Sequence, residues 1–260
     1  MRRLVYAHRG GLALSPENTI VAFDRAMAEG ADGFEFDVRL SSDGVPVVHH
    51  DRTLERTTSG AGPVSALTAG ELARVDACHH FARDGLFPFR GQGIGVPTLE
   101  AVLRRHPGAR LIIEMKGDSA ELATAVVRVV RKTDALDRAL LASFSLVTVQ
   151  AAREAGALYT GASSPEVLRA LYRSWLGLSP RRPAYDGFQL PEKQGMLRVV
   201  SRRFVRMVTR AGLSVNVWVV NEEADMRRLL EWGVTGLITD RPDLAVPIAR
   251  LQTPDSRPQI

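Results

Sequence analysis

Alternation is the feature of this chain that most restricts its fold. Short apolar or β-branched runs stand at LVYA (4–7), GFEFDV (33–38), LIIEM (111–115), ALLASF (139–144), LYTGA (158–162), YDGFQL (185–190), SVNVWVV (214–220) and GLIT (236–239). Between most of them lie segments whose apolar residues recur three and four apart, the spacing of one helix face. NTIVAFDRAMAEG, with Gly30 as its stop, PTLEAVLRRHPG, and NEEADMRRLLEWG ending at Gly233 are three such segments. Eight strand–helix units in about 250 residues are the count and size of a (β/α)8 barrel. The competing architecture, a doubly wound open sheet, demands a glycine-rich phosphate loop after its first strand. AHRGGLALSPENT does not match that fingerprint.

One stretch breaks the rhythm. Residues 52–96, with TTSGAGP and RDGLFPFRGQGIGVP, read as a small insertion after the second strand, its glycines forming a loop rather than a nucleotide cradle. The expected organisation is one barrel domain over residues 1–250, followed by a flexible tail at 251–260.

Composition supports a single large core and excludes several classes. The chain is 45% hydrophobic and 24% charged over 260 residues, and it contains no run of the ~20 apolar residues that span a bilayer. MRRLVYAHRG has too short an apolar run for a secretory signal, and the single cysteine, Cys78, cannot form an internal disulfide. A cytoplasmic setting is expected. Lys plus Arg exceed Asp plus Glu by 34 to 29, with the excess in the later half. In LRVVSRRFVRMVTRAG, however, Phe204, Val205 and Val208 recur at helical intervals, which reads as an amphipathic surface helix with its arginines in solvent. No nucleic-acid motif accompanies the charge, so no nucleic-acid partner is expected.

A barrel carries its chemistry at the C-terminal ends of its strands. His8 and Arg9 end the first run, Glu35 and Asp37 the second, Glu114 the third with Lys116 two residues on, and Ser143 and Gln189 later runs. Asn216 and Trp218 share a face of the seventh, and His50 and Asp51 end the short run VPVVHH. Side chains alternate along a strand, so Glu35 and Asp37 point the same way. Two carboxylates on one buried face repel unless a cation, a proton or basic groups lie between them. Glu35, Asp37 and Glu114 form an all-oxygen set suited to Mg2+ or Ca2+, with nothing selecting between the two. His8 and His50 suit proton transfer near neutral pH, and Arg9 and Lys116 suit an anion with several oxygens. Together these describe phosphoryl transfer.

The ordered stretches AHRGG, PENT, EFDVRLSSDGVPVVHHDRTLERTTSG, VPTLEAVL, IEMK and VNVWVVNEEADMRRLLEWGVTGLITDRPD give the chain a specific resemblance. It resembles the glycerophosphodiester phosphodiesterase family, leaving only about residues 120–185 without a strong match. The resemblance implies a barrel hydrolase that cleaves a small glycerophosphodiester to sn-glycerol 3-phosphate and an alcohol. It implies His8 and His50 as the acid/base pair, Glu35, Asp37 and Glu114 as ligands of one divalent cation, and Arg9 and Lys116 as phosphate contacts. Glu17 of PENT matches a family acid near the site, although the same stretch also reads as a helix start capped by Asn18 or Thr19. Trp218 is implied as a substrate contact against the glycerol carbons.

By alternation His49 faces away from His50 and is read as a packing residue, while His79, His80 and His106 are read as surface histidines. Two rival functions stand beside the main one. The first is a lysophospholipase D type activity, with residues 198–210 and GLFPF making peripheral membrane contact. The second is a barrel that binds phosphodiesters without cleaving them. No sequence feature fixes an oligomeric state.

Overall fold

The structure, a computed structural model, describes residues 3–180 and 183–252. In chain order its elements are β1 (Leu4–His8), α1 (Ile20–Ala28), β2 (Gly33–Leu40), β3 (Pro46–Val48), α2 (Ala69–Leu72), α3 (Leu99–Arg105), β4 (Arg110–Met115), α4 (Ala120–Lys132), β5 (Ala139–Ala142), α5 (Leu146–Glu154), β6 (Tyr159–Thr160), α6 (Ser164–Trp175), β7 (Gly187–Pro191), β8 (Lys193–Gln194), β9 (Leu197–Arg198), α7 (Arg202–Arg210), β10 (Ser214–Trp218), α8 (Glu223–Trp232), β11 (Gly236–Thr239) and α9 (Pro242–Leu251). Eight of the strands form one parallel sheet in the order β6-β5-β4-β2-β1-β11-β10-β7. A parallel bridge between Gly161 and Gly187 joins its two ends, and the Ala162 N–H donates to the Gly187 carbonyl at 2.9 Å. The sheet is therefore a (β/α)8 barrel, nearly closed, as the alternation predicts. Gly161 suits that seam because a Cβ there would lie 2.2 Å from the Gln189 side-chain oxygen.

Period-two patterning sorts each strand into two faces. Phe34, Phe36 and Val38 on β2, with Leu111, Ile113 and Met115 on β4, face outward. They pack under α1, α3 and α4 with Phe23, Leu99, Val102 and Val126. Val215, Val217, Phe188 and Leu237 do the same on the opposite side against Phe204, Val205, Val208 and Leu229. The inward set is separate: Tyr6, Ile112, Ala142 and Ile238, with Leu4 and Leu140, plug the barrel from within. Above this apolar floor, the upper ends of the strands hold the charged groups.

The helices follow their sequence signals. Ser119 caps α4 and its hydroxyl accepts from Leu122 N–H, while Leu122, Ala123, Val126, Val127 and Val130 form the buried face. Ser201 caps α7 in the same way, and Phe204, Val205 and Val208 are its buried residues, so the arginines of this stretch lie outward as expected. Among the described residues no helix is long and apolar enough to cross a membrane.

Several boundaries differ from the sequence reading. β2 continues to Leu40 because Val38, Arg39 and Leu40 pair antiparallel with β3, Val38 also keeping its place beside Met115 of β4, so Glu35 and Asp37 lie mid-strand rather than at its end. β6 has only two residues, and α9 runs on through Leu251, where a tail was expected. The rest of that tail, residues 253–260, lies outside the described residues. The insertion holds the short α2 and a small core of its own, with Val47, Leu54, Val64, Leu72 and Val96 packed together. His106, expected on the surface, is a correction: it is only 8% exposed. It ends α3, and its ring stacks edge-on against Phe34 at 5.1 Å. His49 is buried as expected, with Nε2 3.0 Å from the Thr53 carbonyl.

Candidate active site

The upper end of the barrel opens into a cavity of about 710 Å3 lined by His8, Arg9, Glu35, Asp37, His50, Glu114, Lys116 and Trp218, together with an apolar wall. Parallel register accounts for the carboxylates. His8 stands beside Glu35 across β1 and β2, and Asp37 beside Glu114 across β2 and β4. Three acids on neighbouring strands thus share one face.

Arg9 reaches the acids through an unusual loop. Arg9 and Asn18 both adopt left-handed backbone, at φ +50° and +58°, a costly conformation that clusters at functional sites. Gly10 follows at φ +86°, where a Cβ would lie 2.6 Å from the Cβ of Ala22. Both turned residues converge on Asp37: the Asn18 amide donates to Oδ2 at 3.2 Å, and Arg9 Nε lies 3.2 Å from the same oxygen. The Lys116 ammonium pairs with Asp37 Oδ1 at 2.8 Å and lies 3.6 Å from Glu114 Oε1.

These neighbours divide the acids into two kinds. Asp37 is 2% exposed; burial raises its pKa, but Lys116 and Arg9 outweigh burial and hold it below the usual carboxylate range. Glu35 lacks that support. Burial, then the charges of Asp37 and Glu114, push it well above its ordinary value. Burial also lifts Glu114 to about 7, with Lys116 opposing and Asp37 adding to the rise. Glu35 Oε2 and Glu114 Oε1 are buried without a hydrogen-bond partner. Lys116 is raised in turn, since Glu114 and Asp37 overcome its burial.

Two histidines flank the acids, and each is held by its own carboxylate. His8 Nδ1 lies 2.6 Å from Asp240 Oδ1, and His50 Nδ1 lies 2.6 Å from Asp51 Oδ1. A carboxylate only accepts, so both rings carry the proton on Nδ1 and leave Nε2 free. His8 Nε2 is 3.8 Å from Glu35 Oε2. Asp240 is itself fixed by the Asn221 amide, which donates to its second oxygen at 2.8 Å. Asp51 is bonded by Arg56, whose guanidinium also grips both oxygens of Glu17 at 2.8 Å. Burial lowers the pKa of His50, with Asp37 and Asp51 pulling the other way. Arg39 donates twice to the His50 carbonyl, at 2.9 and 2.8 Å, fixing the backbone beneath the ring.

Eight of the nine site residues implied by the resemblance line this cavity, and Glu17 differs in kind. It accepts from Arg9 at 2.9 Å as well as from Arg56, and it stands outside the cavity lining. Thr19, one of the two expected caps, caps the helix that follows, its hydroxyl accepting from the Ala22 N–H. Ser143 is spent on the Met115 carbonyl at 2.7 Å. Asn216 is a correction: it lies below the cavity, its side-chain oxygen accepting from Thr235. Trp218 meets Phe144 edge to face at 6.3 Å on the cavity wall.

Sequence reasoning missed Asp240, Asn221, Arg56 and the Asn18 contact. Asp240 had a usable signal, because it directly follows β11 at the same end as the other site residues.

The donor set suits a hard divalent cation, because Glu35, Asp37 and Glu114 offer oxygens only and two of those oxygens are buried and unpartnered. Among the described residues, no three Asp, Glu, His or Cys side chains converge as a ready-made metal cage. Lys116 stands among the acids instead.

The chain as a whole is similar to known proteins. The family model described as "Glycerophosphoryl diester phosphodiesterase family" matches residues 8–244. A putative glycerophosphodiester phosphodiesterase of Bacillus subtilis is 33% identical over 247 residues, 93% of this chain and 96% of its own. A glycerophosphodiester phosphodiesterase of Caldanaerobacter subterraneus is 30% identical over 261 residues, 96% of this chain and 99% of its own. Among solved structures, a glycerophosphodiester phosphodiesterase of Agrobacterium tumefaciens superposes with a TM-score of 0.78 at 29% identity, covering 96% of this chain and 100% of that one. A phosphodiesterase of Oleispira antarctica, solved with the product sn-glycerol-3-phosphate, superposes with a TM-score of 0.78 at 25% identity, covering 96% and 97%.

Proposed function

Since the chain belongs to the glycerophosphoryl diester phosphodiesterase family of hydrolases, we propose that it cleaves glycerophosphodiesters to sn-glycerol 3-phosphate and an alcohol, using His8 and His50 as its acid/base pair. The observation that carries this reading is the pair of rings, each bonded through Nδ1 to a carboxylate and facing one acid-lined cavity. The product held by the Oleispira antarctica relative supports the same substrate class.

In this reading Arg9 and Lys116 receive the phosphodiester charge. Arg9 is positioned by Glu17 and Asp37, and Lys116 by Asp37. One histidine takes a proton from the nucleophile at Nε2, and the other returns a proton to the departing alkoxide oxygen. The nucleophile is water or the neighbouring glycerol hydroxyl, and both routes use the same two rings. Trp218 packs against the glycerol carbons. Glu35, Asp37 and Glu114 would hold Mg2+ or Ca2+, which when bound supplies positive charge to the phosphoryl oxygens. A cytoplasmic setting fits the single cysteine, Cys78, which is free and buried.

The test is the identity of the products. With glycerophosphocholine or glycerophosphoethanolamine, phosphorus NMR is expected to report sn-glycerol 3-phosphate. Phosphocholine or phosphoethanolamine as the phosphorus-bearing product would place the cleavage at the other ester bond and overturn the reading.

A further inference from the structure

One side of the cavity has no use in the chemistry above. Val167, Leu168 and Leu171 of α6 line it, and the turn joining β8 to β9 borders it with Lys193, Gln194 and Gly195. Both elements carry apolar groups onward into solvent. Leu168, Tyr172, Trp175 and Leu176 are 65%, 61%, 62% and 58% exposed, and Met196, at the tip of the turn, is fully exposed. Residues four apart on a helix are neighbours, so Leu168, Tyr172 and Leu176 with Trp175 form a stripe that starts at the cavity wall and continues for two turns. Soluble surfaces scatter single apolar residues, whereas a contiguous aromatic and aliphatic stripe marks a binding face.

The charge around the stripe names the partner. Between Val167 and Asn221 the sequence holds ten Arg and Lys residues and only two acids, Asp186 and Glu192. Both acids are engaged within the fold: Asp186 accepts from the Thr160 N–H at 2.8 Å, and Glu192 pairs with Arg228 at 2.7 Å. Arg169 on α6 is exposed, as are Arg202, Arg203, Arg206 and Arg210 on α7, which packs beside α6. Aromatic and aliphatic side chains flanked by arginines are the composition of a helix that lies in the interface of an anionic bilayer. A second copy of this chain would bring the same positive charge and be repelled.

We propose that the α6 stripe and the Met196 turn dock the mouth of the cavity on an anionic lipid surface. Lipid-borne material then meets the apolar wall at Leu168 without crossing water. The inference does not depend on the catalytic reading, because docking is measured without turnover.

The experiment is sedimentation of the full chain with phosphatidylcholine vesicles, with and without about 30% phosphatidylglycerol, at low and high salt. Binding is expected only with the anionic vesicles and is expected to fall as salt rises. The double variant Tyr172→Ser/Trp175→Ser should weaken it at least about tenfold through lost apolar burial. Arg202→Glu/Arg206→Glu should weaken it independently. A melting temperature within about 2 °C of wild type in both variants would show that they fold. Wild-type protein left in the supernatant with anionic vesicles would overturn the proposal. So would a Tyr172→Ser/Trp175→Ser variant that sediments like wild type, or light scattering that finds a dimer which this variant dissociates.

Discussion

His8 and Asp240 lie 232 residues apart in the chain and 2.6 Å apart in the fold, bonded from imidazole Nδ1 to carboxylate Oδ1. β1 and β11 are adjacent parallel strands, so closing the barrel places the residues at their ends side by side. Asp240 fixes which nitrogen of His8 faces the cavity. Asp240→Asn should lower kcat about 10–100-fold, the range for groups that orient a working histidine. Losing one hydrogen bond costs about 1 kcal/mol, or roughly 2–4 °C in melting temperature. Steady-state kinetics beside a melting curve checks both; a kcat within twofold of wild type would remove Asp240 from the account.

Asp51 does the same for His50, and its ionisation is tied to stability. Burial raises its pKa, but the bonds from Arg56 and His50 prevail and bring it down to about 2 from an ordinary 3.8. A carboxyl depressed in the folded state contributes stability above its unfolded pKa and loses it as pH falls through the folded one. The contribution is therefore present above about pH 4 and gone below about pH 2. Arg56 is half exposed, and solvent screening reduces the contribution to about 1 kcal/mol. Asp51→Asn should lose that amount at pH 7 and nothing at pH 2, measured by urea unfolding.

Glu114 shows the opposite sign. Its pKa rises from 4.5 to about 7 on burial, so the folded state holds a proton that the unfolded chain has released. Stability of metal-stripped protein should fall as pH climbs from about 4.5 to 7, by about 3 kcal/mol in full. Glu114→Gln carries no such charge. Metal-stripped Glu114→Gln should match wild type at pH 5 and exceed it at pH 8, while losing activity. Equal stability of the two proteins at pH 8 would mean that Glu114 is not strained by its neighbours.

The fold was legible because its signal is local and repeated. Val5 and Ala7, Phe34 and Phe36, and Val215 and Val217 each declare an outward strand face, and the 3–4 spacing of Val126 and Val130 declares a helix beside it. The site was legible in its strand residues for the same reason: Glu35, Asp37 and Glu114 stand where alternation and barrel polarity put them. What escaped were pairings set by closure. Nothing near His8 in sequence announces Asp240, and nothing near Glu17 announces Arg56, which reaches it from the insertion. His106 escaped because a histidine after a helix reads as polar, whereas its ring is drawn down onto Phe34 and Phe23. Glu17 read equally as a site acid or as part of a helix start capped by its neighbours, and its bonds to Arg9 and Arg56 set it apart from an ordinary helix start.

In the proposed reaction two histidines act across a carboxylate site suited to a divalent cation. Its most direct measurement is release of sn-glycerol 3-phosphate from glycerophosphocholine by metal-stripped protein, titrated with Mg2+ or Ca2+, for wild type, His8→Ala and His50→Ala. Expected are no turnover without metal, saturable recovery with it, and a kcat lower by about 10²–10⁴-fold in each folded histidine variant. Full activity after metal removal, or near wild-type turnover in either variant, would contradict the proposed reaction.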